Sequence, residues 1–285
     1  MSRSSGFRRA ASGANRPARR WLAAGLACAL LVTGLGATTA SAGPAIAIII
    51  DDLGDGLADG QRAIALPGAV TLSVLPHTPF GKRLAEEAHQ RGKEVMLHLP
   101  MEALEPLDPE PGEIAADMPA LEMAITLAHD FETVPHAAGV NNHRGSRLTQ
   151  NATAMTALMR LLRARGSLYF VDSLTSADSV AARSAREHGV PSLSREVFLD
   201  NERDPEAIAR QFEQLLQIAT RRGRALAIGH PYPETLALLE QRLPELAARG
   251  IQLVSPSTML KEQTEVAAWP SSSSPSPKAP KNSKP

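Results

Sequence analysis

The chain has 285 residues, 43% of them hydrophobic and 4% aromatic, so it is long enough to bury the core of one well-packed α/β domain. It carries 30 basic and 30 acidic residues, but six of the arginines lie in the first 20 residues and three of the lysines in the last eight. The part between is acidic, which argues against a nucleic-acid partner, because phosphate backbones are bound by clustered lysine and arginine.

Residues 1–42 have the layout of a secretory signal peptide. Arginines without any acid precede an apolar stretch that starts at Trp21, and Ala40-Ser41-Ala42 forms a small-x-small cleavage pattern. We expect a periplasmic or secreted mature chain, with membrane contact only if the segment stays uncleaved as an anchor. The single cysteine, Cys28, lies inside this segment. The mature chain would therefore lack thiols, and any metal site must use His, Asp or Glu.

Segments typical of strands and of helices alternate along the rest of the chain. The predicted strands are Ala45–Ile50, Val70–Leu75, Glu94–Leu99, Ala138–Asn141, Ser167–Val171, Pro191–Ser194, Ala225–Ile228 and Ile251–Val254. The predicted helices, which carry apolar residues at three- and four-residue spacing, are Gly81–Arg91, Met118–Thr133, Asn151–Arg165, Ser176–His188, Pro205–Arg222 and Pro233–Arg249. Such repeats predict one α/β domain over residues 43–266, a mostly parallel sheet or barrel with outer helices. The Ser/Pro/Lys-rich residues 267–285 are predicted to be disordered, because they have almost nothing apolar to bury.

The first predicted strand ends in two adjacent carboxylates. The apolar run Ile46–Ile50 is followed directly by Asp51 and Asp52 and then by a glycine-bearing turn. A continuous apolar run of this length is typical of a strand buried on both faces, and catalytic groups in such folds sit at the carboxyl ends of strands. The alternative is that the two aspartates only cap the turn.

Polar residues follow several other predicted strands as well. They are His98 with Glu102, the run Asn141–Ser146, Asp172 with Ser173, Arg195, Asp200, and the run His230–Tyr232. Two histidines and an aspartate are a common ligand set for a catalytic divalent ion such as zinc. Each histidine taken alone is as well explained as a hydrogen-bonded core or turn residue, so their joint placement at one edge carries the metal hypothesis. The remaining histidines fall on predicted helices or loops and are interpreted as non-functional.

The motifs IIIDDLG, HLPME, GVNNHRGS, FVDSLTS, REVFLD and AIGHPYPET, in this order, resemble the divergent polysaccharide deacetylase family. The family is related to NodB-type carbohydrate esterases, and the resemblance implies a distorted (β/α) barrel with a metal-dependent site that hydrolyses the amides of N-acetylated sugars. It implies Asp51 as general base, Asp52 as metal ligand and His230 as an acid or transition-state stabiliser. His98 and His143 are the candidate imidazole ligands, and zinc is the expected ion.

The sequence departs from the NodB pattern in two places. His98 is followed by Leu99-Pro100-Met101-Glu102 and not by a second histidine of an H-x-x-x-H-like motif. The two imidazoles would therefore have to come from different strands. In addition, Leu174 stands where the resemblance leads us to expect arginine, which removes one expected substrate or carboxylate contact.

Two asparagines and a tyrosine are candidates for substrate contacts. Asn141 and Asn142 would donate hydrogen bonds to sugar hydroxyls or to the oxyanion, or would simply form a turn. Tyr232, flanked by prolines, would provide a surface for stacking of a sugar ring, or would pack in the fold.

Three charged residues are candidates for supporting roles. Asp172 would orient a metal-bound imidazole. Arg195 would pair with Asp51 or Asp200. The alternative for both Asp172 and Arg195 is a structural ion pair beneath the site.

Taken together, the motifs predict a metal-dependent hydrolase that removes acetyl groups from N-acetylated sugars of an envelope polysaccharide. Hydrolysis of another amide or an ester at the same site is a variant of this prediction. The alternative is a catalytically inactive periplasmic module on the same fold that binds carbohydrate or protein.

Overall fold

The computed structural model describes residues 43–268, with backbone only from residue 264 onward. The predicted signal peptide and nearly all of the predicted disordered tail lie outside the described residues. The strands are β1 (Ala45–Leu53), β2 (Thr71–Val74), β3 (Val95–Met101), β4 (Ala137–Arg144), β5 (Tyr169–Asp172), β6 (Ser192–Ser194), β7 (Val197–Phe198), β8 (Arg224–Gly229) and β9 (Gln252–Leu253). The α-helices are α1 (Leu57–Ala65), α2 (Gly81–Gln90), α3 (Ala120–Thr133), α4 (Ala152–Arg165), α5 (Ala181–Glu187), α6 (Pro205–Arg222), α7 (Pro233–Arg242) and α8 (Pro256–Ala268).

The strands form one curled parallel sheet. Its order is β6-β5-β4-β3-β2-β1-β8-β7, and β9 pairs with the start of β1, at Ala45 and Ile46, on the edge opposite β8. The two edge strands, β6 and β7, are joined by only Arg195 and Glu196, so the edges of the sheet lie close together. The backbone N–H of Arg195 reaches β5, and that of Glu196 reaches β8. The sheet is therefore a half-barrel with outer helices, which confirms the predicted distorted α/β barrel.

Alternation along β1 separates two apolar clusters. Ile46, Ile48 and Ile50 pack against the helices, whereas Ala47 and Ile49 face the inside of the curl. Successive side chains of a strand point to opposite faces. Both faces are apolar here, which explains why the strand reads as a continuous hydrophobic run.

Several element boundaries differ from the prediction. β1 runs on through both aspartates to Leu53, and β4 runs on to Arg144. The predicted helix Pro233–Arg249 ends at Arg242 and continues as two 3₁₀ turns, because Pro244 lacks an N–H and its ring clashes with the preceding turn. Helices α1 and α8 and the two-residue strand β7 were not predicted. Among the described residues, none of the helices combines the length and apolar character needed to cross a membrane.

Candidate metal centre and acid–base site

Three sequence-predicted metal ligands converge at the carboxyl ends of the strands. Asp52 Oδ1 lies 3.0 Å from His98 Nε2 and 3.1 Å from His143 Nδ1. The two imidazole nitrogens are 3.2 Å apart. These three residues form a group whose ligand atoms all lie within 4.8 Å of one another.

The backbone at Asp52 explains how two successive aspartates reach one site. Ideal alternation would send Asp51 and Asp52 to opposite faces of the sheet. Instead, Asp52 has φ of 55°, and the register of β1 with β2 shifts between Ile50 and Leu53. A bulge with one left-handed residue re-aims a side chain. Positive φ is uncommon for a residue other than glycine, and such conformations cluster at functional sites.

The donor set fits a divalent ion such as zinc. Asn141 Nδ2 donates to both Asp51 oxygens, at 2.9 and 3.0 Å, which assigns the Asn141 Oδ1 to the side of His98 Nδ1, 2.9 Å away. A neutral His98 therefore carries its proton on Nδ1 and directs the lone pair of Nε2 toward Asp52. Asp52 Oδ1 is itself buried and has no hydrogen-bond partner among the described residues. Two imidazole nitrogens and one carboxylate oxygen match the three-ligand sets of catalytic zinc sites.

Opposing charges shift the pKa values of this group. Burial would raise the pKa of Asp52, but the adjacent imidazoles of His143 and His98 hold it well below its ordinary value. Burial would lower the pKa of His98, but the carboxylates of Asp51 and Asp52 outweigh burial and raise it to about 9. A protonated His98 thus compensates the charge of the two neighbouring carboxylates.

Asp51 is a buried carboxylate beneath the metal group. Its side chain is almost fully buried, and its Oδ2 lies 3.6 Å from His98 Nε2. Burial raises the pKa of Asp51, and the charges of His98 and His230 oppose that shift. Asn141, which holds this carboxylate, also accepts a 2.5 Å hydrogen bond from Ser73 Oγ.

The two asparagines do not face the substrate side. Asn141 is fully buried, with its amide committed to Asp51, His98 and Ser73. Asn142 donates to the Arg144 carbonyl and accepts from the Ser173 backbone N–H. The structure therefore corrects the expectation that these amides contact sugar hydroxyls or the oxyanion.

His230 directly follows β8, faces the same group and is held by Asp200. Its Nδ1 lies 2.9 Å from Asp200 Oδ1, while its backbone N–H and Thr235 Oγ1 both donate to Oδ2, at 2.6 and 2.7 Å. This leaves Nε2 directed into the site, 3.6 Å from Asp52 Oδ2. Burial alone would lower the pKa of His230, but the hydrogen bond to Asp200 and the charge of Asp52 raise it.

Arg195 and Asp172 shape the loop after β5 and do not touch the imidazoles. Arg195 donates from Nε to the Ser173 carbonyl and from Nη2 to the Leu174 carbonyl, and within the described part of the chain it forms no ion pair. Asp172 accepts from the Leu174 N–H and from Ser179 Oγ. The predicted pairing of Arg195 with Asp51 or Asp200 is therefore wrong, as is the predicted contact of Asp172 with a ligating histidine. Asp200, and not Asp172, is the carboxylate that orients His230.

Tyr232 and Glu102 lie at the edge of the site. The Tyr232 ring is 5.3 Å from the His230 ring, and the guanidinium of Arg203 lies 4.0 Å from the centre of the tyrosine ring. An arginine therefore covers one face of the predicted stacking surface. Glu102 faces away from the metal group, since it pairs with Arg147 and accepts from the backbone N–H of Ala116.

Sequence reasoning missed Glu110, Ser73 and Thr235. Glu110 Oε2 lies 3.2 Å from His143 Nε2, and Arg144 pairs with the other Glu110 oxygen. Ser73 had a weak signal, a hydroxyl in a short, otherwise largely apolar strand. Thr235 closes the last motif of the resemblance. Glu110 had no signal, because it lies in an irregular loop between two prolines.

Comparison with known proteins agrees with this fold and shows the family. Residues 48–260 match the sequence profile described as "Divergent polysaccharide deacetylase". The uncharacterized protein YibQ of Escherichia coli K12 is 36% identical over 238 residues, which cover 83% of this chain and 73% of YibQ. A crystal structure of an uncharacterized protein from Agrobacterium tumefaciens C58 is 29% identical with a TM-score of 0.73, over 76% of this chain and 89% of that one. A variant of the peptidoglycan deacetylase PdaC from Bacillus subtilis shares the fold alone, at 12% identity and a TM-score of 0.50, over 80% of this chain and 96% of that one. The chain therefore belongs to the divergent polysaccharide deacetylase family.

Proposed function

We propose that this protein is a metal-dependent hydrolase that removes acetyl groups from N-acetylated sugars of an envelope polysaccharide, in the periplasm or outside the cell. One observation carries the proposal. A two-histidine, one-aspartate donor set lies between a buried carboxylate, Asp51, and an oriented imidazole, His230. Family membership supports the choice of an acetylated sugar as substrate.

Asp51 is the general base of this reaction and His230 is the general acid. A divalent ion bound to Asp52, His98 and His143 would supply Lewis acidity, which polarises an acetamide carbonyl and makes water a better nucleophile. Asp51 takes the proton from the attacking water. Its buried position raises its pKa and makes it a stronger base than an exposed carboxylate.

His230 acts on the leaving group. Its Nδ1 is engaged by Asp200, so Nε2 is the nitrogen that donates a proton to the departing amine. The hydrogen bond to Asp200 and the charge of Asp52 raise the pKa of His230, which favours the protonated imidazole that a general acid needs. The carbon–nitrogen bond breaks, acetate leaves with the oxygen of water, and the sugar keeps a free amine.

The test measures metal content and acetate release on the same preparations. The mature chain, residues 43–285, is compared with Asp52→Asn, His143→Gln and a control, His129→Gln, which changes an exposed histidine of α3. We expect about one divalent ion per wild-type or control chain, release of acetate from N-acetylated oligosaccharides or peptidoglycan, and loss of both in the two site variants.

A wild-type chain that stays metal-free after incubation with zinc, cobalt or nickel would sink the proposal. It would favour the inactive binding module, which glycan pull-down with the same preparation would then test.

A further inference from the structure

The loop between β3 and α3, residues 102–119, reaches back to the metal group. It carries Glu110, whose Oε2 lies 3.2 Å from His143 Nε2 and whose side chain is only 28% exposed. The other Glu110 oxygen pairs with Arg144, the residue after His143. One carboxylate thus bridges the imidazole and the neighbouring guanidinium.

The nitrogen that Glu110 contacts is the outer one. His143 Nδ1 faces Asp52 and His98, at 3.1 and 3.2 Å, so Nε2 points away from the donor set. A carboxylate that accepts from Nε2–H places the imidazole lone pair on Nδ1 and fixes the orientation of the ring. Asn141 plays the matching role for His98, since its Oδ1 accepts from Nδ1–H and leaves the lone pair on Nε2.

The path of the loop is built into the fold. At the base of the loop, the backbone N–H of Glu102 donates to the Ile114 carbonyl at 3.0 Å, and the N–H of Ile114 donates to the Pro100 carbonyl at 2.9 Å. Two residues after Glu110, Gly112 has φ of 80°, and a Cβ there would lie 2.3 Å from Asp130 Oδ1. Only glycine allows the loop to pass this close to α3.

We infer that Glu110 is a positioning residue of the metal centre, which holds His143 in the tautomer and orientation that ligate the ion. The inference rests on the proposed function, because it needs the three-residue metal group. It makes the β3–α3 loop a functional part of that centre.

The test is titration of the metal-free mature chain with cobalt(II), followed by visible absorption and by calorimetry. Glu110→Gln retains the shape and an acceptor oxygen but removes the charge, and Glu110→Ala removes both. Glu105→Gln is the matched control, since Glu105 is an exposed acid of the same loop without an ion pair in the described part of the chain. We expect Glu110→Ala to weaken cobalt binding by about 10- to 100-fold, Glu110→Gln to fall between it and the wild type, and Glu105→Gln to match the wild type.

Thermal unfolding of the metal-free proteins separates positioning from folding. Equal unfolding temperatures with weaker cobalt binding support the role of Glu110. Wild-type affinity and an unchanged cobalt spectrum in both Glu110 variants would overturn it while leaving the proposed function intact. A wild-type chain that binds no cobalt overturns the metal centre itself, and the inference falls with it.

Discussion

Two carboxylate–imidazole pairs flank Asp52, and they are built in opposite ways. Asp200 is fully buried and receives three hydrogen bonds, from the backbone and ring of His230 and from Thr235. Glu110 is partly exposed on a loop, and its contacts are the imidazole of His143 and the guanidinium of Arg144.

The difference separates what each pair does for the molecule. A buried carboxylate with both oxygens hydrogen-bonded is part of the core, so its loss leaves donors unsatisfied. A partly exposed ion pair contributes little to folding, because water and salt screen it. We therefore expect Asp200 to matter for stability and for proton transfer, and Glu110 to matter mainly for metal affinity.

The largest expected effect is the loss of catalysis when His230, the imidazole held by Asp200, is replaced. His230→Gln should lower kcat/KM for acetate release by about 10²- to 10⁴-fold, the usual contribution of a positioned acid. The metal content should stay at the wild-type level, because His230 lies outside the donor set. Elemental analysis beside the kinetic assay checks this. Loss of the ion in His230→Gln would contradict the assignment of His230 to acid catalysis and not to metal binding.

The same acid-to-amide change should have unequal effects on stability in the two pairs. Asp200→Asn should lower the free energy of unfolding by about 3 kcal/mol, because it breaks a buried network. Glu110→Gln should change it by less than about 0.5 kcal/mol. Denaturant unfolding of the metal-free proteins measures both, and equal losses would remove the contrast drawn above.

Asp200→Asn should also shift the pH profile in a defined direction. Asp200 raises the pKa of His230, so the protonated acid persists as pH rises until that pKa is passed. Without the carboxylate the pKa of His230 falls, and the basic limb of the kcat profile should move to lower pH. Glu110→Gln serves as the comparison, since its basic limb should stay in place.

The smallest expected effect is that of salt. Raising the ionic strength from about 0.1 to 0.5 M shortens the screening length and should weaken cobalt binding of the wild type by about twofold through the Glu110–Arg144 pair. Glu110→Gln has lost that pair, so its cobalt affinity should change less. Calorimetric titrations at the two salt concentrations measure the difference, and identical salt dependence would show that the ion pair does not act on the metal centre.

Local patterns were enough to predict the parallel α/β sheet and the residues at its functional edge. The apolar run before Asp51 and the helical periodicity between strands come from neighbouring residues, and parallel strands bring their carboxyl ends to one edge. His98, His143 and His230 could therefore be placed at the site before any contact was known. The extent of β1 could not, because the pairing of Leu53 with Val74 of β2, and not local composition, carries the strand past Ile50.

Partnerships within the site escaped prediction for a different reason. Asn141 lies 90 positions from Asp51 and 43 from His98 in the chain, yet bonds to both. Strand-end position shows that such residues are close, but a hydrogen bond depends on register and side-chain direction to within about 1 Å. Strand-end position therefore predicts Asp172, Arg195 and Asn142 as site residues. Their polar groups instead form hydrogen bonds with the loop after β5.

The sequence by itself determined the sheet, its direction and the acids and imidazoles that reach its edge, because strand alternation and helix periodicity are local properties. The tertiary structure decided which carboxylate serves which imidazole. The left-handed conformation of Asp52 and a register shift in β1 place its side chain on the same side as that of Asp51. The irregular loop between β3 and α3, whose sequence has no helix or strand periodicity, places Glu110 next to His143. Both positions depend on how segments that are distant in the sequence pack against one another, which no short window of residues specifies.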